Sequence, residues 1–234
     1  MYQYRDTSTL ISRPLIIVAP HGHPNDDART CNIATQMADD LDCYKVNNVA
    51  WERHNKIDIK NLRANLNNID HGLHSFIKPD WIDKIIQYKD ECVKQFAECF
   101  VFFIHGMSDT VKQRANDPNL DMIVGYGAGS QAGESMDLNQ KDALILHLAN
   151  LGLTVYGGKA GGSFAGAGSK NLNQLFRADP NYLDPNVQSA QIEIVYSLRS
   201  SDKTAEACGK LLAHGVKNWL NGTIGVPNIK IKEF

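Results

Sequence analysis

Long apolar runs are missing from this 234-residue chain: none approaches the roughly 20 residues that a membrane-spanning helix needs. Excess basic charge is missing too. Lys and Arg total 24 against 26 Asp and Glu, for a formal net charge of −2, which excludes nucleic acid or an anionic membrane as a main partner, since both are held through surplus Lys and Arg. The five cysteines are scattered, and no pair has CxxC spacing, so neither a zinc ribbon nor a redox dithiol is indicated. There is no GxSxG nucleophile elbow and no GxxxxGK[ST] phosphate loop. The segment MYQYRDTSTLISRP lacks the apolar core of a signal peptide. With free thiols, this leads to the expectation of a cytoplasmic protein. No internal repeat or linker divides the sequence, so residues 1–234 are read as a single domain.

What the chain has is enough apolar material for one sizeable core, 43% hydrophobic against 21% charged residues. Short runs rich in Ile, Val and Phe read as strands: Leu15–Ala19, Phe100–Ile104 and Gln191–Tyr196, with weaker ones at Met122–Tyr126 and Leu153–Tyr156. Continuous rather than alternating apolar character suits strands covered on both faces. Stretches with helical spacing lie between them, at Asp27–Leu41, Trp81–Glu98, Leu138–Asn150 and Asp202–Leu220. The alternation predicts a three-layer α/β/α domain with a mixed, largely parallel sheet. His54–Lys78 is polar and Asn-rich, and GGKAGGSFAGAGSK (157–170) is glycine-dense; both read as irregular, the second as a flexible rim.

Four constellations carry chemistry. PHGHPNDDAR (20–29) follows the strand LIIVA and precedes a helix, placing His21, His23, Asp26 and Asp27 where open α/β sheets gather their sites. Imidazole and carboxylate are ligand types of a catalytic zinc, although Asp26 or Asp27 could equally cap the helix. FVFFIHGMSD (100–109) runs a second buried strand into His105 and Gly106. If the two strands are parallel neighbours, His21 and His105 meet at one sheet edge. In Gln191-Ile192-Glu193-Ile194, period-two alternation puts Gln191 and Glu193 on one face. A carboxylate in such a strand needs a partner, such as Arg199, or a function, such as taking a proton from a metal-activated water. In WERHNKIDIKNLRAN (51–65), Arg53 and Arg63 could clamp a substrate carboxylate or form surface pairs with Glu52 or Asp58. The remaining histidines show no pattern.

Taken together, PHGHPNDD, RHNKIDIKNLR, FFIHGM and GGKAGGSF followed by QIEIVYSLR span positions 20 to 199. In that order they resemble the N-formylglutamate amidohydrolase family and the related phage-type poly-γ-glutamate hydrolases, which share a zinc-carboxypeptidase-like fold. The resemblance implies zinc, or another divalent metal, held by His21, His105 and an acidic residue five positions after His21. That is Asp26, with the adjacent Asp27 as the alternative. It implies Glu193 as general base and Arg53 and Arg63 as substrate contacts, although Ile59-Lys60-Asn61-Leu62-Arg63 departs from the family's Arg…Asp-x-Asn-Arg pattern. The expected activity is metal-assisted hydrolysis of an amide in a carboxylate-bearing small molecule or short peptide, such as an N-acyl amino acid. A γ-glutamyl hydrolase or carboxypeptidase, and a non-catalytic binding protein on the same scaffold, are the rival readings.

Overall fold

The computed structural model describes residues 2–4, 11–222 and 231–234. Its seven strands are β1 (Tyr2–Tyr4), β2 (Leu15–Ala19), β3 (Tyr44–Asn48), β4 (Cys99–Met107), β5 (Met122–Gly125), β6 (Val155–Gly157) and β7 (Val187–Val195). They form one mixed sheet in the order β1-β3-β2-β4-β7-β5-β6. The central four run parallel; β1 is antiparallel to β3, and β5 runs against β7 with β6 parallel to it. The expected neighbourhood of the LIIVA and FVFFI strands is therefore found, with Val18 in register with Phe103.

Both faces of the central strands are buried, as continuous apolar runs require. Leu15, Ile17, Phe102 and Ile104 point to one side, where they pack with three long helices, α1 (Thr30–Leu41), α5 (Leu138–Ala149) and α7 (Asp202–Leu220). Ile16, Val18, Val101 and Phe103 point to the other, under α3 (Ile82–Phe96), the short helices α2 (Ile69–Gly72) and α6 (Leu175–Ala178), and the polar stretch after Trp51. A further short helix, α4 (Thr110–Arg114), follows β4. The expected three-layer α/β/α class is the one observed.

Several elements begin where local chemistry dictates. Ser201 and Thr204 form a reciprocal capping box at the start of α7, and the Asp137 carboxylate accepts the Asn139 and Gln140 N–H groups at the start of α5. The helix expected from Asp27 starts only at Thr30, because Arg29 is left-handed (φ 66°) and interrupts it. The strand expected to stop at Ile104 continues through His105 to Met107, so His105 lies within a strand and only His21 lies beyond one. β3, YKVNN, was not legible as a strand, since its buried Asn47 and Asn48 break the apolar signature. Among the described residues, no helix is long and apolar enough to cross a membrane.

Candidate metal and catalytic site

The site is assembled at the carboxyl ends of β2, β4 and β7. Past β2 the chain turns at Pro20, whose carbonyl accepts the Asn48 amide at 2.8 Å. Gly22 passes so close to α1 and β3 that a Cβ would sit 1.8 Å from Cys31 Sγ and 2.7 Å from the Asn48 carbonyl, so only glycine fits. The loop then folds back: Asp27 N–H donates to the His21 carbonyl at 3.2 Å and Thr30 Oγ1 donates to the Asp27 carbonyl at 2.9 Å. This return brings the Asp27 side chain to the His21 ring. Asp27 Oδ2 lies 3.2 Å from His21 Nδ1 and 3.5 Å from His105 Nδ1, and accepts the Gly106 N–H at 3.1 Å. The two imidazoles stand edge to face with centroids 5.0 Å apart.

His21, Asp27 and His105 are all buried, and one potential ligand atom from each lies within 4.8 Å of the others. Two imidazoles and one carboxylate are a donor set suited to zinc and to several other divalent metals. The protonation states fit as well. Burial opposes the charge on Asp27, but hydrogen bonds and charge from His105 and His21 outweigh it and hold its carboxyl well below the usual carboxylate range. Burial pushes the His105 pKa down against the pull of Asp27, favouring the neutral, ligand-competent ring. Among the described residues His105 Nε2 has no hydrogen-bond partner although it is buried.

Asp26, the third ligand expected from the sequence, is not the carboxylate brought to the imidazoles. Its Oδ2 accepts the Arg53 backbone N–H at 2.7 Å, which ties the 21–27 loop to the segment after β3. Arg53 does reach the cluster: Nη1 is 3.5 Å from His21 Nδ1 and 3.7 Å from Asp27 Oδ1, with its side chain 53% exposed. Arg63 instead pairs with Glu52 at 2.8 Å, the surface partner that the sequence offered. His23 stays in the loop, with Nδ1 accepting the Asn25 N–H.

Glu193 stands on β7 in register with His105 on β4, so the two side chains emerge on the same face of adjacent parallel strands. The Gln191 amide donates to Glu193 Oε1 at 3.2 Å and to the Phe164 carbonyl at 3.1 Å. The glycine-dense segment thereby touches the site through its backbone. Burial first, and the Asp27 charge second, raise the Glu193 pKa to about 8, against the opposing charges of Arg199 and Arg53.

Arg199, weighed in sequence as an ion partner for Glu193, has another task. Its guanidinium donates to the carbonyls of Ile194, Ala28 and Met107 at 3.2, 2.9 and 3.1 Å. Three site-bearing segments are thus tied together by one buried cation. A Cβ on Gly106 would lie 2.2 Å from Arg199 Cζ, which explains the glycine after His105. Asn65 was missed in the sequence: its Oδ1 lies 2.8 Å from His21 Nε2. Nothing in an Asn-rich stretch marks one asparagine over its neighbours, and the contact depends on how that stretch folds over β2.

No protein-family model and no curated protein sequence matches the chain. Solved structures do. An N-formylglutamate amidohydrolase from Ralstonia eutropha JMP134 superposes with a TM-score of 0.61 at 12% identity, covering 95% of this chain and 99% of that one. A bacteriophage poly-γ-glutamate hydrolase gives 0.54 at 12% identity, covering 95% and 91%. A metallo-carboxypeptidase from Burkholderia cenocepacia gives 0.48 at 13% identity, with 95% of this chain spanning 61% of that one. At such identities the likeness is one of fold, and the fold class expected from the sequence is the one these comparisons return: a mixed-sheet α/β domain like those of the amidohydrolase and the poly-γ-glutamate hydrolase.

Proposed function

We propose that this protein is a divalent-metal-dependent hydrolase, with zinc the expected metal, that cleaves an amide bond in a carboxylate-bearing substrate of the N-acyl amino acid type, N-formylglutamate being the model compound. The observation that carries the reading is the placement of a buried carboxylate, Glu193, in register with His105 beside the His21–Asp27–His105 cluster. A divalent cation held by these three side chains would lower the pKa of a water and polarise the scissile carbonyl.

The chain's own groups account for the rest. Glu193 is buried in a position to take a proton from the attacking water and return it to the leaving nitrogen, and a cation at the cluster would favour the carboxylate form that the first transfer needs. Gln191 holds Oε1 of that carboxylate and restricts its rotation. Arg53, half exposed with one terminal nitrogen at the cluster, supplies a charged donor for the substrate carboxylate or for the developing oxyanion. With Arg63 committed to Glu52, substrate recognition in this reading rests on Arg53. The five buried cysteines, none of them in a disulfide, support a cytoplasmic setting.

The test is metal analysis of the purified protein, followed by turnover of N-formylglutamate and of γ-linked glutamate oligomers with zinc supplied. Glu193→Gln is expected to retain the metal and lose roughly 10²- to 10⁴-fold in turnover. Faster cleavage of the oligomers would reassign the substrate to the γ-glutamyl class. Absence of both bound metal and amide cleavage would sink the hydrolase reading.

A further inference from the structure

Two glycines make room for one backbone oxygen. A Cβ on Gly125, in β5, would lie 2.1 Å from the Phe164 carbonyl oxygen, and a Cβ on Gly158, just past β6, would lie 2.7 Å from it. Neither glycine is left-handed, so close approach rather than backbone freedom is what each provides. The oxygen they admit accepts from Nε2 of the buried Gln191 at 3.1 Å.

That contact fixes which way the Gln191 amide points. A carbonyl can only accept, so the Gln191 atom facing Phe164 is the nitrogen, and its second N–H goes to Glu193 Oε1 at 3.2 Å. The other end agrees. Asn171 Oδ1 accepts the Asn173 backbone N–H at 2.8 Å, which leaves Asn171 Nδ2 to donate to Gln191 Oε1 at 3.3 Å. Turned end for end, Gln191 would set its oxygen against a carbonyl and a carboxyl oxygen together.

Phe164 is held from outside the site. Segment 231–234 lies alongside β6: Gly157 N–H donates to the Lys232 carbonyl and Phe234 N–H to the Gly157 carbonyl, both at 2.9 Å, and Lys159 N–H donates to the Phe234 carbonyl at 3.1 Å. The Phe234 and Phe164 rings meet with centroids 5.5 Å apart, and the Arg114 guanidinium stands 5.3 and 6.0 Å from them. On the inner side, Gly127 N–H donates to the Ala165 carbonyl at 2.7 Å. The peptide between Phe164 and Ala165 is thus fixed on both flanks.

We infer that Phe164 is a positioning residue whose carbonyl keeps the Gln191 amide turned toward Glu193, and that the Phe234–Arg114 stack outside the site sets that carbonyl. The effect on turnover rests on the hydrolase reading above; the effect on Gln191 does not.

The first readout is therefore hydrogen exchange of the Gln191 side-chain amide, followed by NMR in the metal-free protein. Both protons should exchange slowly in wild type. They should exchange faster in Gly158→Ala, whose methyl displaces the Phe164 carbonyl, and in Phe234→Ala. The second readout is kcat per zinc-loaded protein on N-formylglutamate, or on γ-linked glutamate oligomers where these are cleaved faster. Both variants should keep zinc affinity and KM near wild type and lose roughly 10- to 100-fold in kcat, the scale of a small misplacement remote from the chemistry. Phe234→Tyr, which keeps the ring, should restore both readouts.

A freely exchanging Gln191 amide in wild type would overturn the inference whether or not any amide is cleaved. Folded variants with kcat per zinc unchanged would overturn it too, whatever their exchange. If wild type cleaves no amide while its Gln191 protons are protected and the variants release them, the hydrolase reading fails and the hold of Phe164 on Gln191 stands. If Gly158→Ala does not fold, Phe234→Ala decides the matter.

Discussion

Glu193→Gln should make the metal-free protein more stable while removing its activity. The folded-state pKa of Glu193 is raised from 4.5 to about 8, chiefly by burial. Between those values the unfolded chain has released a proton that the folded chain keeps, so stability falls as pH rises through that window. At about 1.36 kcal/mol per pH unit, the cost approaches about 3 kcal/mol at pH 7 and at most about 5 kcal/mol above pH 8. Glutamine has nearly the same shape, keeps the oxygen that accepts the Gln191 amide, and never has to hold a proton against the solvent. Urea unfolding of both proteins in chelator, from pH 4.5 to 8, measures the difference directly. It should be small at the acidic end and grow to about 3 kcal/mol in favour of the variant at pH 7. Saturating zinc should shrink it, because a nearby cation favours the carboxylate. A difference that is flat with pH, or a variant less stable than wild type at pH 7, would refute a buried Glu193 that retains its proton in the metal-free protein.

Two further outcomes follow from the site's geometry. Asp27→Asn should weaken zinc binding by more than the roughly 10- to 100-fold typical of an outer-shell change. Asp26→Asn, whose carboxylate meets the Arg53 backbone N–H instead, should leave zinc binding within that range; equal losses in chelator titrations would argue against Asp27 as the ligand. Arg199→Ala leaves the carbonyls of Ile194, Ala28 and Met107 without their charged donor, and should cost about 3 kcal/mol or more in denaturant unfolding. Arg199→Lys should recover little of this, since a single ammonium cannot reproduce the planar fork.

How much of this could be read before folding depends on whether the signal is local. The strands LIIVA and FVFFI and the late QIEI segment are continuous or alternating apolar runs, and that pattern alone puts them in a buried sheet with His21, His105 and Glu193 near its working end. The boundaries of α5 and α7 follow from caps written in the adjacent residues Asp137 and Ser201. By contrast, β3 carries two buried asparagines whose value lies in partners such as the Pro20 carbonyl, which no window around YKVNN contains. Which of Asp26 and Asp27 turns inward is set by the hydrogen bond from Asp27 N–H to the His21 carbonyl and by the left-handed Arg29; composition and spacing are the same for either neighbour. Pairing Glu193 with His105 required the β4–β7 register. Asn65 required the polar segment to fold over the sheet and bring residues far apart in sequence within 2.8 Å. The sequence by itself determined the central strands around LIIVA, FVFFI and QIEI, the four long helices and the types of ligand available. Only the tertiary structure decided which side chains converge, because convergence is set by register and loop closure between segments distant in the chain.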